Sequence, residues 1–413
     1  MLAIYWVTTV VFFAYLLVFR RCFDFLSVYT IFLVLFSLPV LFGVVFDPYL
    51  RVFNNYTDDG FVFLYYIPYF LALVAIFAKD ILSRRRQPVA SGVGLQDEVL
   101  LFLCMIFSIV GFLMYLHTYL SVSSKSEFVN SIGIVSVVYT VIIPFFAIYS
   151  FLAKKRIYFA VFLFITFLMF LMGSRRAFAI FFVALFLAAY CGHRFRLRLL
   201  FKVSLAMIFL LLIVILGKSF YSYIYAYGMA GVTIWFDALS LDQVLVGAEF
   251  MATSAIAHSV YINDYSLDFD VLLLSLYNIL PVPTPEGGGA SIFNDHFQPD
   301  LFPGIRYGMA YNPWAEAYSI GRYVGVFLYS VGIISVLLLC EYGFIRSASA
   351  FWKATYLILG VYFLVWVHRN SLGSQLAYIR NFIYPIISFS VFAGLFLLYM
   401  RSFRAGCKNA QND

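Results

Sequence analysis

Charge is what this chain has least of. Asp, Glu, Lys and Arg together make up 11% of its 413 residues, against 64% hydrophobic. A soluble globular domain carries about a quarter charged residues. Charge this sparse cannot coat a water-soluble body of this length, so lipid is the solvent for most of the chain. In lipid the backbone must satisfy its own hydrogen bonds, which leaves helices or a closed barrel. The apolar runs are long and unbroken rather than alternating, which selects helices.

Cysteine is scarce too. Cys22, Cys104, Cys191, Cys340 and Cys407 all fall at or near the ends of apolar runs that the loop charges place on the cytoplasmic side. Neither a disulfide framework nor a metal site is expected from them. The first apolar run, Leu2 to Phe19, has no basic segment ahead of it; Arg20 and Arg21 follow it, the reverse of a cleaved signal peptide. It reads as a retained first span with its N-terminus outside. Gly217-Lys218-Ser219 looks like the tail of a P-loop, but Leu212 stands where the upstream glycine is needed. Asp268-Phe269-Asp270 is too short a match to carry a metal-dependent nucleotide-sugar site. Zinc-protease and nucleophile-elbow motifs are missing, as is any internal repeat. Polar residues inside the spans are few, which weighs against a pump or an ion-coupled transporter.

What is present is a series of apolar spans, about eleven by length and flanking charge. They are Leu2–Phe19, Val28–Phe46, Phe61–Phe77, Val99–Leu120, Ile132–Leu152, Tyr158–Met172, Phe178–Cys191, Leu199–Leu216, Tyr323–Cys340, Ala350–Val367 and Phe382–Met400. Tyr158–Met172 and Phe178–Cys191 are short enough to be one broken element. With the N-terminus outside, the basic loop clusters Arg20-Arg21, Arg84–Arg86, Lys154–Arg156, Arg194–Arg198 and Arg401–Lys408 all face the cytoplasm. This asymmetry orients the chain. It also accounts for the net charge of +7 without nucleic acid.

The expected architecture is an all-α polytopic membrane protein. It has an N-terminal transmembrane bundle (1–216), a large periplasmic loop with interfacial helices (217–322), a C-terminal bundle (323–404) and a cytoplasmic tail (405–413). Within the loop, Val244–Ile262 is apolar but carries Glu249 and His258, as a helix at the interface would. Pro281-Val-Pro-Thr-Pro285 and the following glycines break any helix, and 281–300 reads as a mobile flap.

The outside cations run against the positive-inside bias, which points to a use for them. Arg175 and Arg176 sit at one span's outer end. Arg306 and Arg322 bracket an aromatic segment. His368 and Arg369 end a span, and Arg380 begins the last one. Together they can form an anion site, because the guanidinium fork suits phosphate. Each alone also suits a lipid headgroup or a local carboxylate. The segment Tyr311-Asn-Pro-Trp-Ala-Glu-Ala-Tyr-Ser-Ile-Gly321 opens a helix, with Asn312 as N-cap and Pro313 in its first turn. Glu316 in that turn can stabilise the helix start or act as a general base. His258 is the alternative base. Tyr307, Tyr311, Trp314 and Tyr318 can anchor the interface or stack on sugar rings.

Three places resemble the O-antigen polymerases of the Wzy type: Gly173-Ser-Arg-Arg-Ala177, the segment Tyr311–Gly321 followed by a span with Gly325, and Arg369-Asn-Ser with the downstream Asn381-Phe-Ile-Tyr-Pro385. Members often carry Asn-Phe-Gly after the tyrosine; here Ser319-Ile-Gly321 stands instead. The resemblance implies a GT-C-like membrane glycosyltransferase in the bacterial inner membrane. It implies undecaprenyl-pyrophosphate-linked donor and acceptor, no nucleotide or other cofactor, no metal, and a chain-length regulator protein as partner. On that reading Glu316 is catalytic, and Arg175, Arg176, Arg369, Arg380, Arg306 and Arg322 hold pyrophosphate. The glycan lies on the four aromatics. A flippase or exporter of lipid-linked oligosaccharide, and an O-antigen ligase acting on lipid A core, are the alternatives.

Overall fold

The computed structural model describes residues 1–49, 52–55, 58–82, 95–121, 142–171, 175–193, 227–238, 249–283, 291–305 and 311–409, with single positions between. The chain is predominantly helical. Among the described residues, six helical stretches are long and apolar enough to cross a membrane: Leu2–Arg20, Asp59–Leu82, Asp97–Ser121, Pro313–Arg346, Ala350–Arg369 and Leu372–Tyr399. The protein is a helical membrane protein on this ground. The expected span Leu199–Leu216 lies largely outside the described residues.

In chain order the helices are α1 (Leu2–Ala14, continued by a π turn over Tyr15–Arg20), α2 (Phe25–Phe36), α3 (Leu38–Leu41) and α4 (Asp59–Leu82). Then come α5 (Leu95–Ser121), α6 (Ile142–Leu152), α7 (Arg156–Leu171), α8 (Arg175–Tyr190) and α9 (Ala230–Ala238). The outer part and the C-terminal bundle hold α10 (Glu249–Ile262), α11 (Phe269–Leu276), α12 (Ile292–Leu301), α13 (Pro313–Arg346), α14 (Ala350–Val365) and α15 (Leu372–Asn409). Helix α13 is central and packs against α14, α4, α10 and α2, while α7 and α8 pack together at one side. Close approach at the centre needs a missing side chain: a Cβ on Gly360 would lie 2.2 Å from the Phe25 ring.

The structure differs from the sequence expectation in three places. The run Val28–Phe46 is not one helix. It breaks at Ser37, with Pro39 opening the short α3, and then turns at Gly43 (φ 65°) into a hairpin. In that hairpin, strand β1 (Val44–Asp47) pairs antiparallel with β2 (Val52–Asn55), Val44 opposite Asn55. Proline lacks the amide hydrogen that would continue the ladder, and a positive φ suits glycine. The two short apolar runs fall on two helices, α7 and α8, in keeping with their expectation as two spans. Residues 291–300 are not a free flap. They lie in α12, and Phe293 and Phe297 are fully buried, with Phe302 just beyond them. The last helix begins at Leu372, so Arg380 lies in its third turn rather than at its start.

Charges that composition assigns to cytoplasmic loops turn out to be buried between helix ends. Arg20 grips Asp24 (2.6 Å) and Asp80 (2.8 Å), and Lys79 bridges Asp24 and Glu341. Asp24 is also the N-cap of α2, accepting from the Ser27 amide at 2.9 Å. A weaker tie joins Lys155 to Glu98 nearer the surface. The network fastens α1, α2, α4 and α13 together at the end of the bundle remote from Glu316.

Candidate functional site

The site is built on the start of α13. Asn312 accepts from the amides of Trp314 and Ala315, each at 2.9 Å, and so satisfies two donors that a helix start leaves open. Its own amide donates to Tyr65 Oη (2.9 Å) and to the Thr253 carbonyl (2.7 Å), which pins the helix start to α4 and α10. The helix then breaks. Gly321 and Arg322 leave helical geometry, Arg322 at φ 50°, ψ −144°. A non-glycine residue there is strained and has to be held. The turn after α10 holds it: Arg322 pairs with Asp264 at 2.9 Å and donates to the carbonyls of Asp264 and Tyr265. The Leu267 amide closes on the Ser319 carbonyl at 3.0 Å.

The break folds residues 313–320 back over the membrane-crossing part of α13. A Cβ on Gly325 would sit 2.1 Å from the Ala317 carbonyl oxygen, whereas one on Gly321 would meet nothing within 4 Å. Gly325→Ala is therefore expected to cost about 1–3 kcal/mol, and Gly321→Ala much less. Thermal unfolding of the two variants in detergent checks this. An unchanged melt for Gly325→Ala would contradict the packed break.

Glu316 lies one turn inside this segment and is 2% exposed. Its Oε2 accepts from the Leu372 amide at 2.7 Å, the first amide of α15. The carboxylate thus stands between the amide ends of two helices. Its Oε1 has no hydrogen-bond partner among the described residues. The backbone joins the same two segments again, Tyr311 N donating to Arg369 O at 3.1 Å. Two of the three sequence segments that carry the resemblance, one around Glu316 and one around Arg369, are therefore in direct contact.

Behind Glu316 the bundle holds more polar atoms. Tyr329 faces Glu316, Gln375, Tyr29 and Tyr362. The oxygens of Tyr29 Oη and Gln375 Oε1 are buried. His368 is 1% exposed, and its ring stacks on Tyr29 (5.2 Å) and Phe36 (5.3 Å) while one ring nitrogen meets the Leu364 carbonyl. His368 is thus a core ring and not the outer-face cation expected from sequence, and Tyr29, Tyr329 and Gln375 are polar groups that no motif marks. A glutamine in a predominantly apolar helix was the one available signal.

The other candidates are placed as follows. The Arg369 guanidinium lies 4.8 Å over the Trp366 ring, while its backbone carbonyl takes the Tyr311 amide. Arg380 is partly buried and reaches the Leu280 carbonyl at 3.4 Å, roughly 12 Å along α15 from Leu372. Arg322 is committed to the Asp264 turn and to the face of Tyr318, 5.1 Å away. Trp314 and Tyr318 are buried, packed on Tyr329 and on Tyr261 and Tyr323, so neither ring is displayed at the surface. Tyr311 is half-buried, and burial pushes its hydroxyl up to about 12. His258 sits edge-on to Phe61 on α10. Arg175 and Arg176 open α8, but their side chains lie outside the described residues, as do Arg306 and Tyr307. Among the described residues no group of three His, Cys, Asp or Glu could hold a metal ion. No family model, curated protein or solved structure matches the chain.

Proposed function

We propose that the chain is a polymerase of lipid-linked oligosaccharide repeat units, of the Wzy type, acting at the periplasmic face of the bacterial inner membrane. The observation that carries this reading is Glu316: a buried carboxylate with one oxygen anchored to Leu372 and the other without a partner among the described residues, on a segment joined through the backbone to the one bearing Arg369. About eleven spans, a GT-C-like arrangement, a periplasmic N-terminus and a cytoplasmic C-terminus belong to the same proposal.

The step needs little equipment. Glu316 Oε1 takes the proton from an acceptor hydroxyl of the incoming repeat unit. That oxygen bonds to the anomeric carbon of the growing chain. The bond from this carbon to the donor pyrophosphate breaks, and undecaprenyl pyrophosphate leaves with the electron pair. Arg369, with Arg380, Arg175 and Arg176, neutralises the departing phosphate oxygen. The energy resides in the pyrophosphate linkage, so the step calls for no nucleotide.

The purified protein is expected to lengthen a lipid-linked oligosaccharide in detergent, without an ion gradient, and to release undecaprenyl pyrophosphate. No lengthening by well-folded protein would sink the reading. In cells, loss of a polymerase leaves one repeat unit on the lipid A core, whereas loss of a ligase leaves bare core. A flippase or exporter is the second reading, and one observation favours it: the charges of Arg20, Asp24, Lys79, Asp80 and Glu341 buried between helices. Transfer of the lipid-linked substrate across liposomes without lengthening would select it.

A further inference from the structure

Among the described residues, the buried network at the far end of the bundle is not electrically balanced. Two cations, Arg20 and Lys79, face three carboxylates, Asp24, Asp80 and Glu341. All are substantially shielded, with side-chain exposure running from 2% for Arg20 to 22% for Lys79. Five of the carboxylate oxygens are engaged. Asp24 Oδ1 takes Arg20, the Ser27 amide and the Ser27 hydroxyl, and Oδ2 takes Arg20 and Lys79. Asp80 Oδ1 takes Arg20, and Oδ2 takes Arg20 and the Tyr15 hydroxyl. Glu341 Oε1 takes Lys79. The sixth, Glu341 Oε2, is buried and has no partner among the described residues.

An uncompensated negative charge away from water costs several kcal/mol even after relaxation. The excess of one charge and the one unoccupied oxygen fall on the same side chain. Among the described residues, Cys191 beyond the end of α8 also lies near it, with Cys22, at the start of the loop before α2, near Cys191. Neither thiol supplies positive charge. Glu341 lies on α13 itself, roughly 30 Å along the helix from the break at Gly321–Arg322, so this site is separate from Glu316.

We propose that Glu341 Oε2 is the seat of one exchangeable monovalent cation, a proton or an alkali ion, whose uptake balances the network. A ligand that binds the folded state raises its stability by mass action. Two substitutions remove the need for it by different routes. Glu341→Gln keeps the shape and deletes the charge at the seat. Asp80→Asn leaves Glu341 in place and brings the network to two cations and two carboxylates.

The test is thermal unfolding of the full-length protein in detergent, from mildly acidic to alkaline pH, in choline, sodium or potassium chloride at constant ionic strength. A proton ligand makes the wild-type midpoint fall toward alkaline pH in every salt, with both variants flatter. An alkali-ion ligand makes the wild-type midpoint rise in sodium or potassium over choline at fixed pH, with both variants indifferent. If Glu341→Gln does not fold, wild type against Asp80→Asn decides on the same readout. Wild type and folded variants that respond alike to pH and to all three salts overturn the proposal.

Discussion

Glu316→Gln is expected to leave a folded, membrane-inserted protein that has lost glycan lengthening by about 10²–10⁴-fold. The geometry separates the two roles of this side chain. Oε2 holds the Leu372 amide, and a glutamine carbonyl oxygen can accept that hydrogen bond equally well. What glutamine cannot do is take a proton from a sugar hydroxyl. Glu316→Ala removes both functions and leaves a buried amide without its acceptor, at about 1–3 kcal/mol. The expected pattern is therefore a wild-type melt for Gln, a lowered melt for Ala, and no lengthening by either. Gel ladders of lipopolysaccharide from expressing cells, alongside detergent melts, read both. Normal long-chain ladders from well-expressed Glu316→Gln would remove Glu316 from the chemistry and leave it as a helix anchor.

Arg20→Ala is the substitution expected to cost most stability, about 3–5 kcal/mol, because it strands buried carboxylates. Asp80 loses every cation it pairs with among the described residues, and Asp24 keeps only Lys79. Arg20→Lys keeps the charge but not the two-pronged grip on Asp24, so an intermediate loss is expected. Asp24 lies between spans, and its titration adds a pH signature. Burial pushes its carboxyl up, but Lys79 and Arg20 outweigh burial and hold it well below the ordinary carboxylate range. A depressed group lends stability at neutral pH and loses it as pH falls through the depressed value. With Arg20 removed, that acid-side loss should begin at higher pH. Unfolding midpoints against pH for the two proteins measure it, and superimposable curves would show that Arg20 does not hold Asp24.

Much of this was readable from local sequence. Asn312-Pro313 announced the start of a helix, and its capping bonds are those the residue types allow. Span positions followed from apolar length, since lipid leaves the backbone few alternatives. The misreadings share a cause. Apolarity alone carried Val28–Phe46 through Pro39 and Gly43, where backbone chemistry forces a break and a hairpin. The prolines and glycines of 281–289 made a flap of 281–300, although Phe293 and Phe297 anchor its second half in the core. The contact from Glu316 to Leu372 spans 56 residues, and no local pattern announces it. The same holds for Glu341, whose partner Lys79 is 262 residues away.

The break at Gly321–Arg322 also decides how substitutions travel through α13. In a continuous helix, one inserted residue turns everything beyond it by about 100°. Here the hydrogen-bonded ladder is interrupted, and residues 313–320 take their register from Asn312, Leu267 and Leu372 rather than from the membrane-crossing rod. A rotation imposed on the rod below Gly325 stops at the break, so Glu316 keeps its bearing. The acid answers to the outer turns of the protein, and the lipid-facing surface of the same helix is free to vary.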